Sequence, residues 1–347
     1  MKRSLVLIAL VLGALILVSL AFSYAYSRKP SVRYLLSMSG FRNPTSWEKS
    51  EFSLEIGQET IPVFLYSSPG ARSAKYFYLQ HGFTPEGYAH PQLHRMAASL
   101  TDATGMSVVV PHLWRGARET ANHTKMIDLT ARVYSALYER LHGSFRAFGA
   151  CMGGSALLIA LNRVPRDIYP EKIFLVGPFQ DGKKLIEYYN SASPEVDILV
   201  KLAISLNSEN LTAQEKELVS RAIQLSKPGP TDRSEMRKIL GTKLFNDLSV
   251  LTFNSNEVEE MNAEKMFAGG VPKCRYFIMH SLNDTIVPYY EGKGLNEYLK
   301  KAGADTAFLG TELFSHTENT ITVKGFIREA RYLIKFFDEL FEGDIEN

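Results

Sequence analysis

FRAFGACMGGSALLIAL, residues 145–161, is the stretch that decides the fold. A β-type run over 144–148 leads into the hexapeptide GACMGG, and a helical run over 155–162 follows it. A strand that breaks sharply into a helix at a residue flanked by glycines is typical of a nucleophile elbow, whose central residue has strained backbone geometry. The central residue here is Cys151, so the pattern predicts a sulfur nucleophile projecting above a sheet.

The glycines around Cys151 have a steric role in this pattern. Side chains two residues before and after the nucleophile would collide in so tight a turn, and Gly149 and Gly153 remove that crowding. The helix start adds free N–H groups and a positive dipole end, which favour a thiolate and an oxyanion. The six residues alone fit a small structural residue in a glycine-rich turn equally well. Other parts of the sequence are needed to distinguish a nucleophile from such a turn.

The composition is that of an ordinary globular chain. Its 347 residues are 45% hydrophobic and 22% charged, which is enough for one large core or two modest ones. The formal net charge is +2 and basic residues are interspersed with acidic ones, which predicts no nucleic-acid partner. Cys151 and Cys274 are too few for a disulfide framework and are expected to be free thiols.

The N-terminal residues have the pattern expected of a targeting segment. Lys2 and Arg3 precede an apolar run over 5–22, longer than the usual apolar region of a cleaved signal and barely long enough to span hydrocarbon. We therefore predict that residues 1–27 are a membrane anchor. The alternative is a signal peptide, because Ala25-Tyr26-Ser27 resembles a cleavage site. Both versions place the folded part outside the cytoplasm, either membrane-anchored or secreted and periplasmic.

Strands and helices alternate from about residue 50, which predicts a mostly parallel eight-stranded sheet flanked by helices. The predicted strands cover 51–56, 61–67, 76–80, 107–110, 144–148, 172–176, 274–279 and 306–311, and the helices 90–104, 121–142 and 320–342. The core is divided into a first part over 50–180 and a second part over 269–342. His90 and His94 share a helix face, but the sequence offers no third metal ligand near them, so we predict a solvated helix surface there. No metal site or cofactor is predicted.

The alternation stops over 181–268, where the sequence is helical and polar. Predicted helices cover 195–206, 212–225, 233–245 and 258–267, and Thr212 with Glu215 forms a capping box. We interpret this segment as a helical lid inserted after the sixth strand.

Two further chemical groups follow predicted strand ends. HSLNDTIVP, residues 280–288, places Asp284 on a loop just past a strand, and His316 follows the next strand. Taken alone, Asp284 also fits a turn cap and His316 a surface or core histidine. Nucleophile, acid and histidine in this order at successive strand ends are expected of a triad, in which His316 takes the proton of Cys151 and Asp284 orients the imidazole.

An oxyanion hole is predicted beside the nucleophile. His81-Gly82-Phe83 follows the third strand, and in such sites a backbone N–H of this loop acts with that of the residue after the nucleophile. Here the two donors are Phe83 and Met152. We interpret His81 itself as structural.

These pieces together resemble an α/β-hydrolase over roughly residues 50–342. The matching motifs are His81-Gly82, GACMGG, LVGPF at 175–179, the helical insertion, HSLNDTIVP and Ser315-His316. The positions of the insertion and the acid resemble the branch of monoglyceride lipases and serine aminopeptidases, whose elbow usually carries serine. Cysteine at the elbow is similar to dienelactone hydrolases, although the insertion is unlike theirs.

The triad and the resemblance predict a carboxylic ester hydrolase that forms an acyl-cysteine intermediate. Sulfur attacks readily but the thioester must then be hydrolysed, so lipid-like acyl esters, lactones and thioesters are favoured over amides. The predicted partner is a small-molecule or lipid-like ester. Two alternatives stay open: an acyltransferase with the same triad, and a catalytically inactive ligand-binding protein of the same fold.

Overall fold

Eight strands form one sheet in the computed structural model of this chain. The structure describes residues 28–70, 74–82, 87–113, 123–191, 211–225, 233–253, 261–315, 318–319 and 323–343. The strands of the sheet are β1 Glu48–Ile56, β2 Glu59–Ser67, β3 Lys75–Gln80, β4 Ser107–Pro111, β5 Ser144–Ala150, β6 Lys172–Val176, β7 Arg275–Ser281 and β8 Asp305–Thr311. A separate two-stranded pair consists of β9 Phe314–Ser315 and β10 Glu318–Asn319.

Some of the α-helices within the described residues pack on the two faces of the sheet, and others belong to the chain segment that connects β6 to β7. The helices are α1 Pro30–Met38, α2 Pro91–Thr104, α3 His123–Leu141, α4 Cys151–Leu161, α5 Gly182–Ser191, α6 Ala213–Leu225, α7 Arg233–Leu240, α8 Thr242–Phe253, α9 Ala263–Met266, α10 Tyr289–Lys301 and α11 Val323–Phe341.

The strand order across the sheet is β1-β2-β4-β3-β5-β6-β7-β8. β2 is antiparallel to both β1 and β4, whereas every pairing from β4 to β8 across the sheet is parallel. The predicted mostly parallel eight-stranded sheet is therefore confirmed. Because the parallel strands point the same way, the loops that follow them meet at one edge, where ligands bind in open α/β sheets.

Two apolar cores hold helices to the two faces. On one face α3, α4 and α10 pack against the sheet, and Leu157 and Leu295 are fully buried there. On the other face α1, α2 and α11 form the layer, with Leu100 and Phe337 buried. All residues of α4 are buried, so this helix is apolar on every side and lies inside the first core.

The segment between β6 and β7 is mainly helical where it is described. The predicted capping box is confirmed, since Thr212 N–H donates to Glu215 Oε2 at 2.9 Å and Glu215 N–H donates to Thr212 Oγ1 at 3.3 Å. The single helix predicted over 233–245 is wrong: Gly241, with a φ of 75°, separates α7 from α8. The predicted helix over 195–206 lies outside the described residues, and the described part of the one predicted over 258–267 contains the short α9.

The two ends of this helical insertion are held together at its base. Gly182 N–H donates to Met261 O at 2.7 Å, and Ala263 N–H donates to Gln180 O at 2.8 Å. The buried carboxylate of Glu291 accepts two backbone N–H groups at the same place, including that of Gln180 at 3.0 Å. The insertion therefore leaves and rejoins the core through one narrow, hydrogen-bonded neck.

Helix α1 is absent from the sequence-based prediction. It begins at Pro30, which is favoured in the first turn of a helix. Ser31 Oγ donates to Asp338 Oδ1 at 2.5 Å near the end of α11, while Phe41 packs edge to face on Phe326 near its start. Helix α1 thus runs antiparallel to α11 and adds a wall to this layer.

An ion cluster joins the α1 segment to α2. The fully buried side chain of Asp102 forms ion pairs with Arg42 and, at 3.2 Å, with Arg33. It also accepts the backbone N–H groups of Thr45 at 3.2 Å and Ser46 at 3.0 Å. Burial by itself would raise the pKa of the Asp102 carboxyl, but these partners outweigh it and lower the pKa.

No helix of the described residues is both long and apolar enough to cross a bilayer. The apolar run over 5–22 and the rest of the predicted anchor, residues 1–27, lie outside the described residues.

Replacing Asp102 with alanine is expected to lower the free energy of unfolding by about 3 kcal/mol at neutral pH, because two arginines lose their shared carboxylate. The lowered pKa means that this stabilisation is complete above the ordinary value of 3.8 and is lost as the pH falls through the lower folded value. Urea unfolding measured from pH 7 down to about pH 3 should show the two proteins converging. A difference that is constant over this range would contradict the assignment.

Candidate active site

Cys151 lies at the junction of β5 and α4 with a backbone φ of 48°. Positive φ is unfavourable for a residue with a Cβ and persists where the surrounding structure enforces it, often at functional sites. Ala150 before it is extended, with φ −111° and ψ 138°, so the chain turns from strand to helix within one residue. The strained turn predicted from GACMGG is confirmed, and the Cys151 side chain lies at the start of a buried helix.

The glycines of the motif make two close backbone approaches possible. A Cβ on Gly153 would lie 2.0 Å from the carbonyl oxygen of His81, and a Cβ on Gly149 would lie 2.5 Å from Gly154 Cα. Neither distance is tolerated by real side chains. Gly149 therefore makes room for the backbone of Gly153 and Gly154, and Gly153 makes room for the loop after β3.

The loop after β3 lies directly against Cys151. A Cβ on Gly82 would be 2.8 Å from the carbonyl oxygen of Ala150 and 3.4 Å from Cys151 Cβ. The buried His81 donates from Nδ1 to Gly82 O at 2.8 Å, and burial lowers the pKa of His81 to about 4. A neutral imidazole bonded to its own loop agrees with the structural role predicted for His81.

Of the two predicted oxyanion donors, Met152 is among the described residues and Phe83 is not. Met152 belongs to the first turn of α4, whose N–H groups have no acceptor within the helix. Its amide is therefore placed beside Cys151 at the positive end of the helix. Phe83 lies outside the described residues.

Asp284 lies past the end of β7 with its side chain fully buried. Its Oδ1 accepts the N–H groups of Ile286 at 2.9 Å and Val287 at 2.8 Å, so the carboxylate does cap the turn. Its Oδ2 lies 3.5 Å from Nε2 of the buried His280, and the same Nε2 donates to Val287 O at 2.8 Å. The carboxylate is thus held in a defined orientation at the edge of the sheet where the parallel strands end, called the active edge below.

His316 lies outside the described residues, but the chain on either side of it is placed. β9 and β10, which precede and follow it, pair antiparallel. Ser281 Oγ donates to Phe314 O at 2.5 Å, which joins the start of the acid loop to the segment that leads into His316. Both segments follow the paired ends of β7 and β8, where Ser281 lies opposite Thr311.

A cavity of about 540 Å³ adjoins the elbow, and Cys151 is part of its wall. This volume is in the usual range for small-molecule sites. The described lining residues come from the strand ends, the loop after β3 and the layer of α1, α2 and α11. They are Tyr34, Leu35, Met38, Ser39, Gly40, His81, Gly82, His90, Pro91, Gln92, Leu93, Arg95, Met96, Phe148, Ala150, Cys151, Phe174, Val176, Met279, Thr311, Leu313, Phe314, Phe326, Leu333 and Phe337.

The remaining predictions concern thiols and metal ligands. Cys151 and Cys274 are both free, and burial raises the pKa of the Cys274 thiol to about 12. The described residues contain no group of three or more side chains placed to hold a metal ion. The solvated surface expected for His90 and His94 is wrong, because His94 is half-buried and bonded through Nδ1 to the Tyr66 hydroxyl. His90 lines the cavity and caps α2.

The sequence matches no protein-family profile and no curated protein sequence. The structure is similar to the uncomplexed acylaminoacyl peptidase of Pyrococcus horikoshii, with a TM-score of 0.55 and 13% identity over 88% of this chain and 43% of that chain. It is also similar to a thermostable esterase of Pseudomonas putida, with a TM-score of 0.53 and 12% identity over 91% of this chain and 90% of the esterase. This chain spans less than half of the peptidase. At these identities the likeness shows the fold, and the chain has the α/β-hydrolase fold.

Replacing Gly153 with alanine is expected to lower the free energy of unfolding by about 2 kcal/mol or more, because the new Cβ would overlap the His81 carbonyl. Gly154→Ala is the matched control. The closest contacts of its Cβ would be 3.2 Å and 3.3 Å, so we expect a loss below about 1 kcal/mol. Both changes add the same helix propensity. Equal stabilities in chemical denaturation would show that the loop contact does not constrain the elbow.

Proposed function

We propose that this chain is a carboxylic ester hydrolase with Cys151 as its nucleophile. The observation that carries the proposal is the positive φ of Cys151 at the β5–α4 junction, on the wall of a 540 Å³ cavity. A merely structural turn would be less strained with glycine at this position. Solved structures of similar fold include an esterase and an arylesterase, which supports ester cleavage.

In the proposed reaction His316 takes the proton of the Cys151 thiol, and Sγ attacks the ester carbonyl carbon. The carbonyl oxygen becomes an oxyanion, which the N–H groups of Met152 and Phe83 stabilise. The carbon–oxygen bond to the alcohol then breaks, and His316 gives its proton to the leaving alcohol. Water attacks the resulting thioester with His316 as base, which releases the acid and restores the thiol.

Asp284 is proposed to orient His316. Support comes from its full burial, from the two backbone N–H groups on Oδ1, and from the Ser281 to Phe314 hydrogen bond that holds the two loops side by side. A carboxylate fixed in this way can select one imidazole tautomer and stabilise the imidazolium that forms.

We assign the helical insertion over 181–268 the role of a lid. Its described ends meet in a narrow neck beside the loop after β6, which supports movement of the insertion as a unit relative to the core. The mainly aliphatic and aromatic cavity wall suits a substrate with an aliphatic acyl group.

Replacing Cys151 with alanine is expected to lower kcat on p-nitrophenyl octanoate by about a thousandfold or more, because the covalent step is lost. Cys274→Ala is the matched control and should leave turnover unchanged, since that thiol lies just before β7 at the far edge of the sheet and has a raised pKa. Initial rates and intact-mass detection of an acyl adduct check both. Wild-type turnover by the Cys151 variant would overturn the proposal.

We also propose that residues 1–27 anchor the protein in a membrane with the folded part outside the cytoplasm. The apolar run over 5–22 supports this. Helix α1 begins beside Asp338 near the end of α11, and Lys172 at the start of β6 reaches Glu339 O there at 2.8 Å. The chain therefore enters the fold at the sheet edge opposite Cys151, so an anchor would leave the active edge facing away from the bilayer.

The full-length protein is expected in the membrane fraction after an alkaline carbonate wash and in solution after detergent, because an embedded apolar segment resists carbonate. A variant without residues 2–27 should be soluble with unchanged turnover. Immunoblots of the fractions measure this. Release of the full-length chain by carbonate alone would argue against an anchor.

A further inference from the structure

One permanently charged side chain lines the cavity. Arg95, on the first turns of α2, is the only lysine, arginine, aspartate or glutamate among its described lining residues. The rest of that lining is mainly aliphatic and aromatic, and its other ionisable groups are Tyr34, His81, His90 and Cys151. The cavity wall therefore carries a positive charge with no acidic residue beside it in the described chain.

The guanidinium of Arg95 is only partly satisfied by the protein. Its Nε donates to the carbonyl oxygen of Ser37 at 2.8 Å. Its Nη2 is buried and has no hydrogen-bond partner, and Arg95 makes no ion pair with any residue of the described chain. A charged donor buried without a partner is costly, and a small rotation that brings the guanidinium onto an acceptor of a ligand in the cavity would remove the cost.

Among the described residues, no carboxylate is paired with Arg95. The nearest carboxylate along α2 is Asp102, two turns further on, and it is already shared by Arg33 and Arg42. Arg95 therefore lies two helical turns from a carboxylate whose ion pairs are with Arg33 and Arg42. The excess positive charge favours an anion in the cavity.

We propose that Arg95 binds a carboxylate of the substrate, so that the substrate is an ester with an aliphatic arm that ends in a carboxylate. The planar guanidinium suits a carboxylate, and the apolar wall suits the aliphatic arm. Cys151 and Arg95 line the same cavity, so one molecule can reach both. The ester part of this assignment rests on the proposed function, whereas anion recognition by Arg95 does not.

The first test compares kcat/KM for p-nitrophenyl hydrogen suberate and p-nitrophenyl octanoate, whose acyl arms have the same length. We expect the wild type to prefer the suberate by about tenfold or more, the value of one charge-assisted hydrogen bond. Arg95→Gln should abolish this preference and Arg95→Lys should retain part of it. Arg33→Gln, which removes a nearby charge that does not line the cavity, should keep it. Equal preference in the wild type and Arg95→Gln would overturn the proposal.

The carboxylate can belong to the acyl or to the alcohol side of the ester. The acetate ester of ω-hydroxyoctanoic acid tests the alcohol side, and an Arg95-dependent preference for it over octyl acetate would assign the carboxylate there. If Arg95→Gln does not fold, p-nitrophenyl methyl suberate provides a comparison in the wild type alone. Loss of the preference when the free carboxylate is methylated supports the proposal, and an unchanged rate overturns it.

A binding measurement separates this proposal from the proposed reaction. Calorimetric titration of octanoate should show binding to the Cys151→Ala variant. The Kd should be about tenfold higher or more for the double variant that also carries Arg95→Gln. Arg95-dependent binding without turnover of any ester would contradict the proposed function and leave anion recognition standing. Ester turnover together with octanoate binding that does not depend on Arg95 would contradict anion recognition and leave the proposed function standing.

Discussion

The contact between the β3 loop and the first turn of α4 is the constraint on which the site depends. The backbone of His81 lies so close to Gly153 that a Cβ on Gly153 would overlap it. The backbone of Ala150 likewise lies close to Gly82, leaving no room for a Cβ there. This contact puts the loop, the helix start and the Cys151 Cβ in one place. The positive φ of Cys151 is the local strain that accompanies it, and the fully buried α4 and its neighbours in the first core provide the stability that maintains it.

The opposite face of the sheet contributes the space beside this elbow. Helix α1, held by the Asp102 ion cluster and by its contacts with α11, adds a wall to a layer otherwise made of α2 and α11. The cavity lies within that layer and reaches Cys151. Cys151 and the cavity thus depend on different cores, Cys151 on the α4 face of the sheet and the cavity on the α1 face.

Local pattern predicted much of the architecture. The strands of the sheet, the turn at Cys151 and the Thr212 capping box all depend on residues close in sequence, and each has the expected form. The insertion was less predictable because Gly241 divides a helix that periodicity alone continues. Helix α10 was missed for a related reason: Gly292 lowers its helical signal, yet it is needed because a Cβ there would lie 2.1 Å from His280 Nδ1.

By itself the sequence determined the fold class, the strained cysteine between β5 and α4, and the position of Asp284 just past β7. These follow from the periods of strands and helices and from glycines within a few residues of the turn. Only the tertiary structure decided that α1 forms a cavity wall, that Gly153 is required by His81, and that Arg95 faces the ligand space with no acidic partner in the described chain. A nine-residue helix is marginal alone, and its position depends on the ion pairs of Arg33 and Arg42 with Asp102, which is 60 or more positions away and which no local pattern encodes.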